Sequence, residues 1–227
     1  VNVVKFLIDN PNTYKDVASY HNISGFKKPT LNEHSVDNTV GKIGQKILGF
    51  RNVTEHAGST TLIYLLKIHL EKYYKVKAVE IDGNDFTYFN DRDLESVSTV
   101  EFGDFLARNA TLDVILVDLN ESNMTKFCDD IIYLIEPGRI QLNRLIRNDN
   151  NIFEELKSKK IVLNRSVLSA KDVEDFEKES GSKVFYNLPY LDDKLDNQAI
   201  INDFLLNLGF SRVEEEKGKS GLFSVFK

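Results

Sequence analysis

Lys46 to Tyr74 reads KILGFRNVTEHAGSTTLIYLLKIHLEKYY, and the order in which its residue types change decides the fold. Lys46 to Val53 is a short apolar run with β-branched and aromatic content, as a buried strand requires, and Thr54 to Ser59 is a small polar turn. From Thr60 to Tyr74 the apolar residues Leu62, Leu65, Leu66, Ile68, Leu70 and Tyr73 recur at helical spacing. A helix opening at the Gly58-Ser59-Thr60-Thr61 corner presents unpaired N–H groups and the positive end of its dipole to the turn. That is the physical basis of phosphate cradling.

The same alternation continues outward. Val76 to Asp82, Leu112 to Leu119, Ile131 to Ile135, Lys160 to Asn164 and Lys183 to Tyr186 read as strands. Helical patterns lie between and after them at Glu101 to Asn109, Ile140 to Arg147 (with Ile152 to Lys157 extending it), Lys171 to Ser180 and Asn197 to Leu208. Gly83 to Val100 reads as a polar, acidic connection. The run LDVILVDL at Leu112 to Leu119 is apolar without alternation, the mark of a strand covered on both faces. Strands and helices in this order predict an α/β fold: a doubly wound, mostly parallel sheet with helices on both faces.

With 227 residues the chain suits one sizeable α/β core and a small appendage. Its apolar share of 41% and charged share of 28% are those of a globular chain, with no run near the roughly 18 to 20 apolar residues of a membrane span. A formal net charge of −6 argues against a nucleic-acid partner, which needs a basic face to displace counterions. The single cysteine, Cys128, supports no disulfide framework, so a reducing cytoplasm is the expected home. The four histidines, His21, His34, His56 and His69, are scattered, which argues against a metal cluster.

These residues resemble the MinD/ParA group of deviant Walker ATPases, which have a P-loop NTPase fold. The resemblance rests on strand, G-S-T-T, helix, then Val79-Glu80-Ile81-Asp82, then Val114-Ile115-Leu116-Val117-Asp118. It covers about residues 46 to 210 and is nearest the branch that localises Tad pili. The group's loop is usually K-G-G-x-G-K-T-T. Gly58, Thr60 and Thr61 match it, while the signature lysine falls on Thr54, the early glycines on Glu55 and His56, and the phosphate-binding lysine on Ser59. Without either lysine the main electrostatic contribution to phosphoryl transfer is missing.

The resemblance implies a nucleotide site at Gly58, Ser59, Thr60 and Thr61. Asn164 of an N-R pair and Pro189 of a proline loop would lie near the base, and Thr60 and Asp118 would hold Mg²⁺. Asp82 corresponds to the catalytic acid that orients water, although Asp82-Gly83-Asn84 is also ordinary turn chemistry. The cofactor expectation is none, or ATP with Mg²⁺ held weakly. The functional expectation is a degenerate ATPase, not a working enzyme: a non-catalytic or weakly nucleotide-binding assembly or localisation factor for a cell-surface or secretion machine. The alternative is an active ATPase with an atypical loop, in partitioning or positioning. Protein partners of a larger assembly belong to the first reading, with a homodimer that is either independent of nucleotide or absent.

Residues 1 to 45 read as an appendage and linker, with a strand at Val1 to Asp9 and a helix at Thr13 to His21, either packed on the main sheet or left from a preceding receiver-like domain. Residues 46 to 227 form the main domain. In the tail, Leu222, Phe223, Val225 and Phe226 beside Lys219 and Lys227 allow two readings. One is an edge hairpin with Phe210 to Val213; the other is a short segment making weak contact with a membrane.

Overall fold

The computed structural model describes residues 44–191 and 197–211. The chain divides into a unit over Val1–Gly41 and a unit over Lys42–Lys227, and the first falls outside the described residues. So do the expected strand Val1 to Asp9, the helix Thr13 to His21 and the tail beyond Ser211.

Seven strands form one sheet, β1 (Lys46–Asn52), β2 (Val76–Ile81), β3 (Leu94–Val97), β4 (Val114–Asp118), β5 (Asp130–Ile135), β6 (Lys160–Ser166) and β7 (Val184–Pro189). Their order is β3-β2-β4-β1-β5-β6-β7, and every neighbouring pair is parallel. Because β1 lies between β4 and β5, the chain winds to one side of β1 and then to the other. The loops at the carboxyl ends of the central strands therefore splay apart, which opens a crevice in sheets of this kind.

Helices cover both faces. α1 (Ser59–Leu70) and α6 (Gln198–Asn207) share a core in which Leu62, Ile63 and Leu66 meet Leu48 and Phe50 of the sheet and Phe204 and Leu205 of α6. α2 (Phe102–Arg108) covers the opposite face, where Phe102 and Phe105 pack with Val79, Ile81, Ile115 and Val117. α3 (Arg139–Asn148), α4 (Ile152–Leu156) and α5 (Ala170–Ser180) bring Leu142, Leu156 and Phe176 against Ile135, Ile161 and Leu163. Burying one such side chain contributes roughly 1.5–3 kcal/mol.

Two details depart from the sequence reading. The stretch expected as a plain connection, Gly83 to Val100, holds a short 3-10 turn at Phe86–Phe89 and the edge strand β3. At four residues β3 is too short to show a period. The helix near Ile140 also does not run on to Lys157. Asp149 takes an extended conformation (φ −144°, ψ 104°) and its carboxylate accepts the Asn151 N–H at 2.9 Å, so α4 starts afresh. This is the usual competition of a short acidic side chain with helical backbone.

Gly49 in the middle of β1 is required by a close approach. A β-carbon there would lie 2.8 Å from Cys128 Sγ and 2.9 Å from Leu119 Cδ1, so the connection from β4 to β5 packs directly on bare backbone. At the amino end of the same strand, Lys46 Nζ donates to the Leu208 carbonyl and sits 4.5 Å from the centre of the Phe210 ring. The first strand of the core is thus fastened to its last helix.

Candidate functional site

The register aligns Phe50 of β1 with Asp118 of β4, and Asp118 with Glu80 of β2. The loop from β1 to α1 rises at this end. Gly58 caps α1 in the left-handed conformation (φ 89°), and no side chain caps the helix. A β-carbon at Gly58 would come within 3.0 Å of Asn164 Nδ2 and 3.1 Å of Arg165 Nε, so both the backbone angle and the space call for glycine.

Ser59 is the hub of the loop. It is 1% exposed; its hydroxyl accepts from Asn52 Nδ2 at 2.9 Å and donates to Asp118 Oδ2 at 2.9 Å. Its N–H donates to Asn52 Oδ1 at 3.2 Å, so Asn52 grips the residue with both ends of its amide. Thr60 Oγ1 donates to the same Asp118 oxygen at 3.0 Å. Burial pushes the Asp118 carboxyl above the usual carboxylate range, the nearby Glu80 adds to this, and the bonds from Ser59, Thr60 and the Asn120 N–H oppose it. The Thr60 hydroxyl and Asp118 carboxylate are an oxygen donor pair of the type that suits Mg²⁺.

Thr54 also turns inward. It is 3% exposed and its hydroxyl accepts the Glu136 N–H at 2.7 Å, tying the loop to the end of β5. Glu55 points out to Arg144 of α3, 3.5 Å away. Asn164, 5% exposed at the end of β6, donates its amide to the Ala57 carbonyl at 2.7 Å. Arg165 follows it with φ 54° and lies against the loop, Nη1 being 3.5 Å from the His56 carbonyl.

A cavity of about 540 Å³ opens in front of these groups. Asn52, His56 and Gly58 to Thr61 form its floor; Asp85, Tyr88 and Phe89 come from the connection after β2, Asn120 from the end of β4 and Arg165 from β6. Phe89 is fixed by stacking on Tyr64 with centroids 4.2 Å apart, while Tyr88 is 84% exposed at the rim.

The structure brings Gly58, Ser59, Thr60, Thr61, Asp118 and Asn164 together. Asp82 and Pro189 do not join the cavity lining. Asp82 has φ 53° and is exposed; its carboxylate accepts the Thr99 N–H at 2.8 Å and the Thr99 hydroxyl, bonds that hold it below the usual carboxylate range. Pro189 closes β7 at the edge of the sheet, in register with Ser166. Asn52, Asp85 and Asn120 are not singled out by the sequence reading, and Arg165 enters it only as the second residue of the N-R pair. Asn52, as the last residue of a buried strand directly before a turn, carried a usable signal; Asp85 and Asn120 lie in ordinary turn sequence.

No family model and no curated protein sequence matches the chain. Solved structures do. A plasmid partition protein of Borrelia burgdorferi bound to AMPPNP aligns at 15% identity over 72% of this chain and 98% of that one, with a TM-score of 0.45. A second partition protein structure from the same organism aligns at 17% identity, 72% and 99% coverage, and a TM-score of 0.45. The MinD cell division protein of Aquifex aeolicus aligns at 15% identity over 73% of this chain and 98% of that one, with a TM-score of 0.50. The seven parallel strands and their flanking helices are thus laid out on the fold of MinD.

Proposed function

We propose that the chain is a MinD/ParA-type protein whose nucleotide site has lost catalysis and holds nucleotide weakly, and that it works as an assembly or localisation factor for a cell-surface or secretion machine. The observation that carries this reading is the inward closure of the loop. The two positions where the family has lysines are Thr54, bonded to Glu136, and Ser59, bonded to Asn52 and Asp118. Neither offers charge to a polyphosphate, so stabilisation of the transferring phosphoryl group is largely lost while the cavity and helix end remain. Fold and catalysis are separable in this way.

Mg²⁺ entering with a nucleotide would be held by Thr60 Oγ1 and Asp118, and would supply charge to the phosphates. The residues themselves orient the helix end, fix the Asp118 oxygen between two hydroxyls and close the strand end behind the loop. Partners of this protein are other proteins of the assembly and a second copy of the chain, with pairing independent of nucleotide. Among the described residues no helix is long and apolar enough to cross a membrane, and the expected lipid contact rests on the tail.

Steady-state phosphate release on the full chain, with a calorimetric ATP titration with and without Mg²⁺, tests the reading. The expected result is turnover equal to a no-enzyme control with weak binding. A rate on the order of one per second or faster overturns it in favour of a working ATPase.

A further inference from the structure

We infer that Arg165 supplies, from β6, the cation that the loop itself lacks, and that it holds a phosphate of the ligand against the start of α1. This rests on reading the cavity as a phosphate site and names the group that gives it charge.

The guanidinium is already at the place where charge is needed. Its Nε lies 3.1 Å and its Cζ 3.3 Å from where a Gly58 β-carbon would stand, so it borders the residue that opens α1. It lines the same cavity as Thr60 and Thr61. Among the described residues it is in no ion pair, and the bond given for it is the 3.5 Å approach of Nη1 to the His56 carbonyl. Most of its five donors are therefore free to meet oxygens of a ligand.

The charges nearby do not compete for it. Glu55 is drawn to Arg144, and Asp118 is occupied by Ser59 and Thr60. Asp85, the acid in the lining, makes no ion pair with Arg165 among the described residues, and its backbone N–H, bonded to Glu80 Oε2 at 3.0 Å, anchors its segment on the β2 side of the cavity. Arg165 and the helix end thus favour an anion from the β1 and β6 sides. A guanidinium meets phosphate through two parallel N–H groups, so the arrangement suits a terminal phosphate or diphosphate better than a lone carboxylate.

The full chain is titrated by calorimetry with sodium pyrophosphate, ATP and adenosine, as wild type, Arg165→Ala and Arg165→Lys. The expected result is pyrophosphate and ATP binding weakened roughly tenfold or more by Arg165→Ala and partly restored by Arg165→Lys, the scale of one charge-assisted pair. Adenosine binding should not change. Circular dichroism melting checks the fold of Arg165→Ala; if it melts early, Arg165→Gln, which keeps a polar side chain without the charge, takes the same test. Equal pyrophosphate and ATP affinities in wild type and variant overturn the inference and leave the proposed function standing. Absence of ATP and pyrophosphate binding in the wild type overturns both.

Discussion

Glu80 and Asp118 are register partners on neighbouring parallel strands, and each is 1% exposed. Glu80 spends its carboxylate on the Asp85 and Phe86 N–H groups, both at 3.0 Å, and on the Ser96 hydroxyl at 2.5 Å. Asp118 faces the loop with two hydroxyls.

A raised folded-state pKa means that ionised Asp118 costs stability at neutral pH. Asp118→Asn keeps the acceptor oxygen for Ser59 and Thr60 and removes the charge. It should raise Tm at pH 7. The gain should shrink as pH falls through the folded value and vanish below the ordinary aspartate value of about 3.9. A gain that grows on acidification would contradict the burial argument.

Ser59→Ala removes a buried hydroxyl that serves two neighbours at once. Asn52 Nδ2 loses its acceptor and Asp118 one donor, so the expected cost is about 1–3 kcal/mol in urea unfolding. An unchanged midpoint would show that the loop is not held from within.

Gly49→Ala drives a methyl group into Cys128 Sγ and Leu119 Cδ1. Overpacking of this kind costs about 1–3 kcal/mol. Cys128→Ala in the same chain should recover part of the loss, which a double-mutant cycle measures as coupling of about 0.5 kcal/mol or more. Strict additivity would refute the contact.

Cys128 itself should be inert. Burial first, and Asp129 second, push its thiol up to about 12, so almost no thiolate is present at pH 8. Ellman's reagent should label it slowly in the folded protein and fully in denaturant. Complete labelling of the native protein within seconds would disprove this.

The central unit is legible in the sequence because β1 and β4 carry unbroken apolar runs and α1 repeats its apolar residues at helical spacing, and their order is enough to select a doubly wound sheet. α5 was equally plain, since Ser169 and Asp172 form a capping box and Gly181 closes the helix at φ 67°. What stayed hidden depends on long-range geometry. β3 is too short to announce itself and becomes a strand through its ladder with β2. Arg165 reaches the loop because β6 ends beside it, 109 positions from His56 along the chain, and no local pattern records that. Asn164 is named by its resemblance to the N-R pair, but the tether from its amide to the Ala57 carbonyl is not.

The fastening of Lys46 to Leu208, 162 positions apart, has a mechanical consequence. Tension applied between the two ends of this core first breaks that contact and then acts on two very different structures. α6 can peel from the sheet turn by turn. β1, ladder-bonded on both sides to β4 and β5, must slide out along its own axis and shear both sets of bonds together. The core should therefore give way from its carboxyl end under load, with the strand that carries the loop among the last parts to yield.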